Sequence, residues 1–135
     1  MNDDTHSFDD QLRMPGLTVH SRGFRIQFEN GYGVSVCFGA MNYCQNRNGV
    51  PLYANTRLDE QLMSCNAEVL VYDIVTDENI LTHFGGSEVE KVIGWQLPEE
   101  VTKILAWAAE QPPRASVANR RSCIPSTIDE ESNNG

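Results

Sequence analysis

Phe24-Arg25-Ile26-Gln27-Phe28-Glu29-Asn30-Gly31-Tyr32-Gly33-Val34-Ser35-Val36-Cys37-Phe38 is the stretch whose reading decides the fold. Phe24, Ile26 and Phe28 alternate with Arg25, Gln27 and Glu29, and after Asn30-Gly31 the alternation resumes with Tyr32, Val34, Val36 and Phe38. A period of two marks a strand with one buried face, and Asn-Gly between two such runs predicts a β-hairpin. The pattern also chooses the turn. A two-residue loop would pair Phe28 with Gly33 and Ile26 with Ser35, placing the apolar sets of the two strands on opposite faces. A three-residue loop, Glu29-Asn30-Gly31, pairs Phe28 with Tyr32, Ile26 with Val34 and Phe24 with Val36. All the apolar groups then share one face, and Gly31 takes the left-handed position of a G1 bulge.

Downstream, residues 39–66 lack periodicity and hold Asn42, Asn46, Asn48, Gly49, Pro51, Asn55 and Asn66, which reads as a long loop. Residues 67–75 are nearly all apolar or β-branched and read as a strand. Asp77-Glu78-Asn79 follows as a turn, residues 80–84 as a short returning strand ended by Gly85-Gly86, and 92–95 as a last short strand. Pro98 suits the first position of a helix, and Glu99 and Glu100 suit its positive end. Val101, Ile104, Leu105 and Ala108 form its apolar stripe, and Pro112-Pro113 stops it. The fold class expected is therefore α+β: an antiparallel sheet with one C-terminal helix packed on one face. Residues 16–113 form a single domain between a loose N-terminal tail, 1–15, and a loosely structured C-terminal tail, 114–135, both too polar to offset the entropy of ordering.

At 135 residues the chain has the length of one domain and needs no metal or disulfide to support a core. Ten Lys and Arg stand against 19 Asp and Glu, a net charge of −9. That balance repels phosphate backbones and anionic membranes, so direct nucleic-acid binding is not expected, and it suits either plain solubility or a basic partner surface. No apolar run is long enough to span a bilayer and the first residues have no signal-peptide pattern, so a cytoplasmic location is expected. Cys37, Cys44, Cys65 and Cys123 make no C-x-x-C pair and match no zinc spacing; free thiols are expected.

Catalytic apparatus is sparse. His6, His20 and His83 make no metal-binding element, and Gly31-Tyr32-Gly33 precedes no helix, so neither a metal nor a cofactor is implied. A cysteine–histidine pair such as Cys44 with His83 could meet only through the fold. The run that could read a polar ligand is Asn42-Tyr43-Cys44-Gln45-Asn46-Arg47. Tyr43 would stack, Asn42 and Asn46 would offer paired donors and acceptors, and Arg47 would grip a phosphate or carboxylate. The alternative is that the asparagines cap turns and Tyr43 anchors the loop. Arg114, Arg120 and Arg121 form a second basic group, either a phosphate site or a counterweight to the acidic tail.

The segments Gly23-Phe24-Arg25-Ile26-Gln27-Phe28-Glu29-Asn30-Gly31-Tyr32, Val34-Ser35-Val36, Phe38-Gly39, Asn42-Tyr43-Cys44 and Asn46-Arg47 form a pattern that resembles small bacteriophage accessory proteins. Gly94-Trp95, Pro98-Glu99-Glu100-Val101 and Ala106-Trp107-Ala108-Ala109 add to it. The resemblance implies no active site. It implies a non-enzymatic, anti-CRISPR-like inhibitor of a host antiviral defence, bound stoichiometrically to a basic host protein, or a sponge for a cyclic nucleotide immune signal. A homo-oligomer is a further expectation, with Trp95 and Trp107 available for a symmetric contact.

Overall fold

The computed structural model describes residues 12–20, 22–47 and 63–118. Five strands, β1 (Gly16–His20), β2 (Gly23–Gln27), β3 (Tyr32–Cys37), β4 (Ala67–Asp73) and β5 (Ile93–Gln96), form one antiparallel sheet in chain order. Helix α1 (Pro98–Ala109) and a 3-10 turn (Ala115–Val117) follow.

The β2–β3 hairpin has the register that burial requires, with Ile26 opposite Val34 and Phe24 opposite Val36. Phe28 N–H donates to Tyr32 O at 2.8 Å and Gly31 N–H to Phe28 O at 3.0 Å, which closes the three-residue loop. Gly31 has φ 93°, and a Cβ there would stand 2.9 Å from Val117, so both the backbone and the close approach demand glycine.

The register carries apolar rows across the sheet: Ile26, Val34 and Val71 in one, Phe24, Val36 and Val69 in the next, with Ile93 opposite Val69. On that face α1 lies over β3, β4 and β5, and Ile104 and Ala108 from its predicted stripe are buried against Val34, Val69 and Val71. Each of the valines and Ile104 contributes about 1.5–3 kcal/mol when removed from water. The helix starts at Pro98, where the Glu100 carboxylate accepts Leu97 N–H at 2.8 Å. It does not extend over β1, where Leu17 and Val19 remain 79 % and 85 % exposed.

Three details differ from the sequence reading. The strand expected over 80–84 is reduced to isolated bridges, Tyr72 with Asn79 and Thr82 with Gly85, because β5 already occupies the free side of β4 from Ala67 to Val69. β1 adds a strand that the sequence reading did not single out. The described residues also extend into both expected tails. Gln27 Nε2 donates to Leu12 O and Met14 O at 2.8 and 2.6 Å, and Val117 is buried against Tyr72 and Ile74. The rest of both tails, residues 1–11 and 119–135, and residues 48–62 of the long loop lie outside the described residues. Among the described residues no helix is long and apolar enough to cross a membrane.

Candidate interaction surface

β3 runs out into the loop 39–47, beside the start of β4. Glu68 fastens this loop: Oε1 accepts Tyr43 N–H at 3.0 Å and Oε2 accepts Asn42 Nδ2 at 3.2 Å. Asn42 Oδ1 accepts Gly39 N–H at 2.9 Å, and Asn46 Nδ2 donates to Phe38 O and Met63 O at 2.7 and 2.9 Å. Gln45 and the 64–66 segment exchange two more bonds, Gln45 N–H to Asn66 Oδ1 and Cys65 N–H to Gln45 Oε1. The amides of Asn42 and Asn46 therefore satisfy the chain's own backbone, as turn-capping asparagines do. Tyr43 O accepts Trp95 N–H at 2.8 Å, and the Arg47 guanidinium sits 4.2 Å over the Tyr43 ring while Nη1 reaches Met41 O at 3.4 Å.

The fastened loop and its neighbours display apolar side chains. Met41 is 72 % exposed; Met63, whose carbonyl accepts the Asn46 amide, and Leu97, two residues beyond Trp95, are exposed as well. Trp95 is half exposed and has φ 57°, in the left-handed region. It lies where β4 and β5 slip by one residue, Ala67 facing Gln96 but Val69 facing Ile93, so Gly94 and Trp95 together face Glu68. A left-handed conformation costs an L-residue about 1–2 kcal/mol, and a bulge of this kind would accommodate glycine without that cost. No aromatic ring packs on Trp95 among the described residues. Across residues 39–47, 63–67 and 93–98 the only ionised side chain is Arg47, with Glu68, engaged by the loop, and Glu99 flanking these runs. From Met63 the surface leads into an apolar groove of about 460 Å³ between α1 and the sheet, lined by Phe24, Phe38, Ala67, Val101 and Leu105.

Arg114 stands at the opposite end of the sheet. Its Nε donates to Asp73 Oδ2 at 2.6 Å and Nη2 to Glu78 at 3.3 Å, and its guanidinium lies 5.3 Å over the Tyr32 ring. Asp73 and Glu68 are five steps apart on β4, roughly 16 Å, so Arg114 and Arg47 do not share a site. Arg120 and Arg121 lie outside the described residues. Tyr43 and Arg47 are brought together at the surface, whereas Asn42 and Asn46 serve the loop.

The cysteine that approaches a histidine is Cys37, whose Sγ is 3.9 Å from His20 Nε2 and 3.4 Å from Ser35 Oγ. Gly23 lies between His20 and Cys37 in the register and leaves the space across which they meet. Burial pushes the Cys37 thiol pKa up and the His20 pKa down, the reverse of what an activated thiolate–imidazolium pair requires. Cys44 is buried and bonds Gly39 O, and His83 packs on Phe84 and Trp107. Among the described residues no group of three or more His, Cys, Asp or Glu could hold a metal ion.

Tyr43 and Arg47 were legible in the sequence as candidate ligand groups and Trp95 as a candidate symmetric contact; Met41, Met63 and Leu97 were not. The uncharged runs around them were visible; the bulge that lifts Trp95 was not, since it arises from pairing between β4 and β5. No family model, curated protein or solved structure matches the chain.

Proposed function

We propose that this protein works without catalysis, by stoichiometric binding of a protein partner on the surface formed by Met41, the Tyr43–Arg47 stack, Trp95 and Leu97. Trp95 carries the reading. A large apolar ring is held half in water, on a strained backbone, where glycine would fit at lower cost. Strain of this kind persists where function requires it. The composition agrees: aromatic residues, Met and Arg are enriched at interface centres and other charges depleted.

The charge of the chain supports a basic partner. Ten Asp and Glu against seven Lys and Arg leave the described residues at −3, and the other −6 belongs to the remaining residues. Opposite charge on the partner would speed and orient docking. The further identification of the partner as a host antiviral defence protein rests on the resemblance to phage accessory proteins alone. Sequestration of a cyclic nucleotide is favoured by one observation, the surface stack of Arg47 on Tyr43. It lacks the amide readers, because Asn42 and Asn46 are already bonded within the chain.

Native mass spectrometry of the protein purified gently from host cells, compared with Trp95→Gly and Met41→Asp, separates these readings. A bound polypeptide is expected, held about 30-fold more weakly by Trp95→Gly, as for an interface hot spot, while thermal stability stays level or rises. A Trp95→Gly protein that loses stability and keeps its partner would show that the tryptophan serves the fold. A bound mass of several hundred daltons, lost with Arg47→Ala, would establish the sponge instead.

A further inference from the structure

A second surface, at the opposite edge of the sheet from β5, has a different character. β1 is an edge strand, and the hydrogen bonds of the hairpin beside it determine which way its backbone faces. Phe28 with Tyr32 and Arg22 with Phe38 are hydrogen-bonded pairs. Antiparallel pairs alternate between bonded and non-bonded. The even-numbered residues of β2 therefore bond to β3, and Gly23, Arg25 and Gln27 bond toward β1. Their partners are His20, Thr18 and Gly16. The N–H and C=O of Leu17 and Val19 are left pointing out of the sheet.

The same two residues expose their side chains, at 79 % and 85 %, on the face that carries α1. Nothing in the strand Gly-Leu-Thr-Val-His blunts the edge: it has no Lys, Asp, Glu or proline and no bulge. Natural edge strands that remain unpaired usually carry such features. In a chain of net charge −9, β1 is also an element with no acid, so two copies can meet there without opposing like charges.

We propose that two copies of this chain join antiparallel through β1, about a two-fold axis at Thr18. In that register Leu17 of each copy faces Val19 of the other, and their outward N–H and C=O groups form four hydrogen bonds, using every free group of the two residues. Directly opposed residues share a face, so the apolar row Val34, Ile26, Leu17 continues into Val19, Phe24 and Val36 of the second copy. The result is a ten-stranded sheet. The strand is roughly 17 Å long, so the ladder alone takes less than the ~800 Å² per partner of a standard stable interface. The dimer is accordingly a reversible one. It leaves the Trp95 surface free, and its success or failure is independent of the binding function proposed above.

Sedimentation equilibrium on the full chain, from about 5 to about 300 μM to bracket a weak interface, should show a monomer–dimer equilibrium between 15.1 kDa and twice that mass. Val19→Lys should weaken the dimer about tenfold or more by placing a charge on the edge twice over, with an unchanged circular dichroism spectrum. The register has its own test, which does not depend on that variant. Thr18 faces Thr18 in a non-bonded pair with Cα atoms about 4.5 Å apart, within disulfide reach. Thr18→Cys should therefore form an oxidised covalent dimer well above the wild-type background, and Leu17→Cys should not. A chain that stays monomeric throughout, a dimer indifferent to Val19→Lys, or crosslinking by Leu17→Cys but not Thr18→Cys would each overturn the proposal.

Discussion

At one end of β4 the Asp73 carboxylate accepts Val75 N–H at 2.8 Å, Thr76 N–H at 2.9 Å, Arg114 Nε at 2.6 Å and Ser116 Oγ at 2.8 Å. At the other end Glu68 accepts Tyr43 N–H and Asn42 Nδ2. Both acids tie loops to the sheet, but the results differ. Asp73 is 2 % exposed and joins the turn after β4 to the segment after α1. Nearby, Asn30 donates to Ala108 O and Gln111 O at 2.7 and 2.9 Å, so the hairpin loop also caps the helix. That end is closed on itself. Glu68 is half-buried and fastens a loop whose polar groups are satisfied internally, while Met41 and Trp95 face outward. One carboxylate consolidates the fold, and the other fastens the loop beside the surface proposed to bind.

The largest test of that contrast is Asp73→Ala. It leaves Arg114 and two backbone N–H groups without their acceptor, and removing one partner of a largely buried ion pair costs about 3–5 kcal/mol. Urea unfolding should show that loss, and a loss below about 1 kcal/mol would mean that the end is held by its apolar contacts with Val117 instead.

Acid should reveal the same carboxylate. Burial alone would raise the Asp73 pKa, but the bonds from Thr76, Arg114, Ser116 and Val75 outweigh it and hold the group well below the usual carboxylate range. As pH falls below about 4, the unfolded chain takes up this proton before the folded one does. The stability that Asp73 contributes is complete above that range and drains away with acid. Asp73→Asn should flatten the acid arm of the stability–pH curve, and an unchanged arm would assign it to other acids.

Glu68→Ala should have the smaller effect, about 1–3 kcal/mol for hydrogen bonds to a charged acceptor, and a local one. Hydrogen exchange at the Tyr43 amide should accelerate while that of Val75 does not. If both amides lost protection together, the two ends would be one cooperative unit and the contrast between them would fail.

The parts legible in the sequence were those governed by neighbours along the chain. Alternation over 24–38 settled both the hairpin register and its three-residue loop, with Gly31 at the left-handed position, because side-chain period and turn geometry are local. The helix stripe at Val101, Ile104, Leu105 and Ala108 was legible for the same reason. The loop 39–47 was recognisable as polar and turn-rich, yet the duty of its asparagines depended on Glu68, 26 residues beyond Asn42, and on Met63, 17 beyond Asn46. Arg114 looked available for a ligand until Asp73, 41 residues away in sequence, was found beside it.

By itself, then, the sequence determined a hairpin, a helix and the apolar face that each presents, since those follow from φ/ψ preference and periodicity. Tertiary structure alone decided which polar groups are already spent, where β5 leaves no room for a strand over 80–84, and that Trp95 stands out on a bulge. Those outcomes depend on hydrogen bonds and registers between residues far apart in the chain, which periodicity along the chain does not encode.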